Sequence, residues 1–106
     1  MSNETEQNFD ELEDELIIDL RKSITVGSET VHQITLREPE GHEIELFHKA
    51  VDKIGPMGAV FVFIAAISGV SKQVISKMGA RDLDKAQRYL MAFLDLSGSR
   101  QTGGKS

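Results

Sequence analysis

Hydrophobic and polar positions follow three successive rhythms along the chain. From Glu15 onward, Leu16, Ile17, Ile18 and Leu20, then Ile24, Thr25 and Val26, form β-prone runs leading to a Gly27-Ser28-Glu29 turn signal. The next run, residues 30–37, sets Ile34 and Leu36 on one face and Gln33, Thr35 and Arg37 on the other. Together they predict an antiparallel hairpin over residues 15–37 with one face buried. Val31 is out of phase with Ile34, which places a bulge or fraying near the turn. Pro39-Glu40-Gly41 then ends the strand.

A helical spacing takes over next. Ile44, Phe47, Ala50, Val51 and Ile54 recur at intervals of three and four, with Glu43, Glu45, Lys49, Asp52 and Lys53 off that stripe. This predicts an amphipathic helix over residues 42–54, with acids in its first turns and Lys53 in its last, the order the helix dipole favours. Gly55 is placed to be its left-handed cap, and Pro56 bars continuation.

The third stretch has no rhythm at all. Eleven residues, Met57 to Ile67, carry no polar side chain, and such a run must be buried in its own domain or against another protein. A bilayer span takes roughly 20 apolar residues, so a short buried helix over 57–68 is expected, stopped by Gly69. The β-branched and aromatic residues at 60–64 leave a strand open, because periodicity does not decide so uniform a run. Ser71 then caps a short helix over 71–78, closed by Gly79. In the last predicted helix, 81–96, Leu83, Ala86, Leu90, Phe93 and Leu94 fall on one side. A basic stripe of Arg81, Lys85 and Arg88 lies opposite and meets water or an acidic partner.

The fold class is therefore α+β: an N-terminal β-hairpin packed against three or four short helices, in one domain over 15–96. A length of 106 residues supports a single core. A two-stranded hairpin is not stable alone, so its apolar face needs the helices or a second copy of the chain, and self-association is an expectation. Residues 97–106, SGSRQTGGKS, form a flexible tail with little to bury.

Charge divides the chain further. The net charge is -5, yet residues 1–19 hold eight acids and no Lys or Arg, leaving nine acids and all twelve basic residues to 20–106, a balance of +3. The acidity is an arm, residues 1–14, expected to be disordered and solvated, or else to cover a basic face or deter nucleic acid. Its sequence has neither the basic residues nor the apolar core of a signal peptide. The absence of cysteine removes disulfides, thiolate metal sites and a cysteine nucleophile.

Catalytic motifs fail in detail. The end of the chain imitates a phosphate-binding loop, but Ser99 stands where the first glycine belongs and no helix follows Gly104-Lys105-Ser106. His42-Glu43 begins like a zinc-protease motif, but Leu46 takes the second histidine's place, and His42 and His48 point about 120° apart on a helix. No Gly-x-Ser-x-Gly elbow is present. The expectation is a protein without catalytic activity, metal or cofactor. Ala65, Gly69 and Ile75 have the spacing of a helix-turn-helix DNA reader, with Ser71, Lys72, Gln73 and Lys77 placed to face DNA. Against that reading stand an acidic chain and only two cations in the recognition segment.

Two stretches, LRKSITVGSETVHQITLREPEGHEIELF and FIAAISGVSKQVISKMGARDLDKAQRYLMAFL, resemble the tail assembly chaperones of contractile-tailed phages and Mu-like prophages, over about residues 16–96. The resemblance rests on the Leu36-Arg37-Glu38-Pro39 step closing the second strand, on Ser68-Gly69, and on Asp82-Leu83 opening a last helix that reaches Phe93-Leu94. Ser23 departs from the proline usual in that family. The resemblance implies a non-catalytic protein of the host bacterial cytoplasm, absent from the mature virion. It implies a partner too, the tape measure protein, held soluble until the tail tube polymerises around it. It also implies a longer frameshift product of the same gene, for which Gly104-Lys105, if encoded GGG-AAA, supplies a slippery run. Phe61, Phe63 and Ile67, with Tyr89 and Met91 beside the last helix's core stripe, are candidate partner contacts; the first three serve equally as core. A small DNA-binding regulator and a minor structural tail subunit remain the competing readings.

Overall fold

A computed structural model describes residues 12–94. The acidic arm up to residue 11, the end of the last predicted helix and the C-terminal tail lie outside the described residues. Two strands, β1 (Glu15–Val26) and β2 (Glu29–Arg37), form one antiparallel pair closed by a two-residue turn in which Gly27 has φ 63. Leu16 opposes Leu36, Ile18 opposes Ile34 and Ile24 opposes Val31, so each opposed pair turns an apolar face to the same side.

The phase slip at Val31 has its cause in β1. Asp19 pairs with Gln33 but Ile24 pairs with Val31, so the four residues Leu20–Ser23 stand against His32 alone. This large bulge restores Ile24 and Val31 to the buried face, at 7% and 8% exposure.

Helix α1 (Gly41–Ser68) joins the two helices expected over 42–54 and 57–68 without an intervening loop. The join is a sharp corner at Gly55, with φ 85 and ψ 166. That corrects the expected left-handed helical cap: the positive φ is there, but ψ is extended, a region essentially restricted to glycine. The following proline explains ψ, since its ring disfavours the helical region in the residue before it. Pro56 then opens the second segment, where its missing N–H costs nothing. The corner is tight enough to bring Phe47 and Phe63 together, ring centroids 5.0 Å apart. Sixteen residues of straight helix would set them about 24 Å apart, so the two segments fold back as a helical hairpin.

This geometry bears on the length of α1. By length and composition alone the 28-residue run is apolar enough to cross a membrane. Folded at Gly55, however, each segment is about 20 Å long against a hydrocarbon core of about 30 Å. In the second segment Ala59, Val60, Phe63, Ile64 and Ile67 are buried within the fold, which settles the open choice for 57–67 as helix.

Gly69 closes α1 in the left-handed conformation, φ 75 and ψ 12, its N–H donating to the Ala65 carbonyl at 2.9 Å. Helix α2 (Lys72–Ser76) is shorter than expected, with the Ser71 hydroxyl accepting from the Val74 N–H as its cap. Helix α3 (Ala80–Leu94) buries Ala86, Leu90, Phe93 and Leu94. The hairpin, the second segment of α1, α2 and α3 share one core, in which Leu36, Ile64, Val74, Ile75 and Leu90 are wholly enclosed.

Asp82, in the first turn of α3, is buried at 3% exposure. Its Oδ2 accepts a hydrogen bond from the Arg21 backbone N–H at 2.9 Å. The bulge thus frees a β1 amide from the strand ladder and gives it to α3, tying the start of the last helix to the hairpin. Oδ1 is buried with no hydrogen-bond partner among the described residues.

Replacing Gly55 by alanine separates backbone strain from crowding, because a Cβ there meets nothing within 4 Å. Gly55→Ala is expected to cost about 1–3 kcal/mol in urea unfolding, the penalty of a positive φ with extended ψ. An unchanged midpoint would contradict the corner.

Candidate functional site

The step from hairpin to helix is held by one charged cluster. Arg37, at the end of β2, grips Glu43 with two parallel hydrogen bonds of 2.8 Å, Nη1 to Oε1 and Nη2 to Oε2. Glu43 Oε1 also accepts from the Glu40 N–H at 2.9 Å, capping the first turn of α1. Leu36 is fully buried beside it, which gives the Leu-Arg-x-Pro step a physical basis. One residue anchors the strand and the next aims the helix. The Arg37 guanidinium lowers the Glu43 carboxyl to about 2, helped by the Glu40 N–H. Among the described residues, Glu40, His42 and Glu43 form one group close enough to hold a metal ion. Its atoms are already engaged: Glu43 by Arg37 and Glu40, and His42 Nε2 by Glu40 Oε1 at 2.9 Å.

The segment this cluster positions is unusual in its burial. No residue of 41–54 is fully buried, and the apolar stripe of Ile44, Phe47, Ala50 and Val51 is only half covered. Leu46 is 58% exposed, Ile54 and Met57, flanking the corner, are each 51% exposed, and Val62 is 38% exposed. Each leaves part of a large apolar side chain in water, where covering the exposed part is worth on the order of 1 kcal/mol. Distributed along α1, they are apolar side chains that gain by meeting another apolar surface.

The residues that the sequence pattern points to distribute unevenly around it. Phe63 and Ile67 belong to the core, at 3% and 5% exposure. Phe61 is half-buried on the second segment of α1. Tyr89 and Met91 are half-buried on α3, remote in sequence from the α1 surface. Tyr89 is held in place: its hydroxyl donates to the Glu13 carbonyl at 2.5 Å and its ring meets Phe93 edge-on at 5.3 Å. Burial raises its pKa, with Asp14, Glu38, Glu13 and Glu15 adding to the effect. Arg81, Lys85 and Arg88 are all exposed on α3, Arg88 pairing with Asp84 at 2.7 Å. Ala65, Gly69 and Ile75 pack the turn between α1 and α2, but the would-be recognition helix is five residues long and presents little to a DNA groove.

Leu46, Ile54, Met57 and Val62 are functional candidates that sequence reasoning missed. For Leu46 a signal exists, an apolar residue on the polar side of an amphipathic helix. For Met57 and Val62 there is none, since a uniform apolar run does not reveal which side is covered.

A family model described as phage tail assembly chaperone proteins, E, or 41 or 14, matches residues 17–95. The chain belongs to that family. The match takes in β1 from Ile17 onward, β2, and α1, α2 and α3. No curated protein and no solved structure matches the chain. Membership establishes a chaperone role in tail assembly, with a tail protein as partner. The chaperone fold thus combines a hairpin-based core with a helical segment whose apolar residues the core covers only in part.

The Arg37–Glu43 link predicts a pH signature. Because the folded carboxyl titrates near 2 and the unfolded one near 4.5, the stabilisation is complete above about 4.5 and is lost as pH falls toward 2. Glu43→Gln is expected to lower stability by about 1–2 kcal/mol at neutral pH and to flatten the acid limb of urea midpoints between those values. An acid limb identical to that of the unaltered protein would remove Glu43 as its source.

Proposed function

We propose that this chaperone binds the tape measure protein and keeps it soluble while the tail is built, using the outer side of the α1 hairpin. The observation that carries this reading is the exposure of Leu46, Ile54, Met57 and Val62 on α1, whose first segment the core covers only in part. A long helical client offers apolar stripes of the same character, and two such faces associate by excluding water. The action is stoichiometric masking, with no catalysis and no cofactor. It takes place in the host bacterial cytoplasm, and the chaperone leaves before the virion is complete. A longer frameshift product of the same gene, where one is made, carries the same surface. A second copy of the chain competes for that surface, so a homo-oligomer of the free protein gives way to the complex with client.

Co-expression with the tape measure protein tests the reading. The client is expected in the soluble fraction, co-eluting with the chaperone on size exclusion at both low and high salt, since apolar contacts do not weaken with ionic strength as phosphate contacts do. Leu46→Glu with Met57→Glu should cost about 3 kcal/mol of binding or more, roughly a hundredfold in affinity. Both side chains are half exposed or more, so the melting temperature is expected to stay unchanged. A client that stays insoluble beside the unaltered chain, or one held equally well by the double variant, would defeat the proposal.

A further inference from the structure

A cavity of about 680 Å³ opens where the β1 bulge meets the junction of α2 and α3, on residues outside the α1 surface. Arg21, Lys22, Lys77 and Arg81 line it, with Asp82 among the lining residues. No salt bridge among the described residues engages any of the four cations. The Asp82 carboxylate is committed to the Arg21 N–H, so one buried acid faces four cations and the cavity carries a net positive charge. Lys85, one turn beyond Arg81 on α3, extends that charge along the helix.

We propose that this cavity is a docking site for the acidic N-terminal segment of the same chain, residues 1–11, whose carboxylates Glu4, Glu6, Asp10 and Glu11 pair with its cations. Three observations converge on this occupant. The segment has four acids and no basic side chain, matching the four cations of the cavity. It joins the described fold at Leu12, beside α3, because the Tyr89 hydroxyl is bonded to the Glu13 carbonyl. From Tyr89 back to Arg81 is about 12 Å along the helix, and eleven extended residues reach up to about 36–40 Å. The charge at the junction favours the same path: Glu13, Asp14, Glu15 and Glu38 gather near Tyr89 and repel the acids of the arm. The exposed stripe of Arg81 and Lys85 leads toward the cavity. Tethering raises the arm's local concentration to about the millimolar range, so even weak pairing fills the site before a free acidic peptide does. The inference does not depend on which client the α1 surface takes, and it gives the acidic arm and the basic stripe a single explanation.

Amide NMR spectra of the full chain test this directly. Neutralising the arm with Glu4→Gln, Glu6→Gln, Asp10→Asn and Glu11→Gln is expected to shift the amides of Ser23, Lys77, Gly79 and Arg81. The differences should vanish at about 0.5 M NaCl, where the screening length is about 4 Å. Reversing the cavity charge with Lys77→Glu and Arg81→Glu, both exposed, should in turn shift the amides of residues 4–11. Shifts confined to the arm in the first variant, or arm amides indifferent to the second, would overturn the proposal. So would cavity shifts that appear only as protein concentration rises, which would assign the site to a second copy.

Discussion

The structure depends on one constraint: two strands have no means of burying an apolar face by themselves. Leu16, Ile18, Ile24, Val31, Ile34 and Leu36 lie on one side of β1 and β2, and every helix that touches them is there to keep that side dry. Ile64 and Ile67 from α1, Val74 and Ile75 from α2, and Leu90 and Leu94 from α3 complete the core. The polar links serve the same end. Asp82 fastens α3 to the bulge, and Arg37 fastens the start of α1 to the end of β2.

Satisfying the hairpin uses up only part of the helical apolar surface. The second segment of α1 turns Ala59, Val60, Phe63, Ile64 and Ile67 inward, while the corner at Gly55 sends residues 41–54 to the periphery. There they touch the fold through contacts such as Phe47 on Phe63 and keep a half-covered stripe. A small domain that needed nothing but stability would have polar residues at 46, 54, 57 and 62. Apolar side chains there cost solubility, and covering them by a partner is what the proposed chaperone surface would do.

Much of this is legible in the sequence. The hairpin follows from alternation at 33–37 and the Gly27-Ser28 turn, and the bulge from the phase of Val31, although its position in β1 is hidden because Leu20–Ser23 carry no pattern. Helix 42–54 follows from its stripe. The Gly55-Pro56 break is also visible, but not that the chain reverses there, since the reversal is set by ψ at one glycine. Sequence order likewise places the family's steps at Leu36-Arg37 and Asp82-Leu83 while leaving their work unseen. The bidentate grip on Glu43 and the buried bond to the Arg21 amide join residues six and sixty-one positions apart, and only the fold brings them together. Phe63 and Ile67 show the limit most clearly: within a uniform apolar run, composition gives no sign of which side faces the hairpin.

Hydrogen–deuterium exchange of the chaperone, alone and mixed with the tape measure protein as the proposed client, tests most directly where such a client sits. Residues 41–54 have few buried contacts and should exchange readily in the free protein. Client binding through the α1 hairpin predicts strong protection over 44–62, with the already protected strands little changed. Protection confined to the hairpin strands or to α3, with 44–62 exchanging as before, would contradict it.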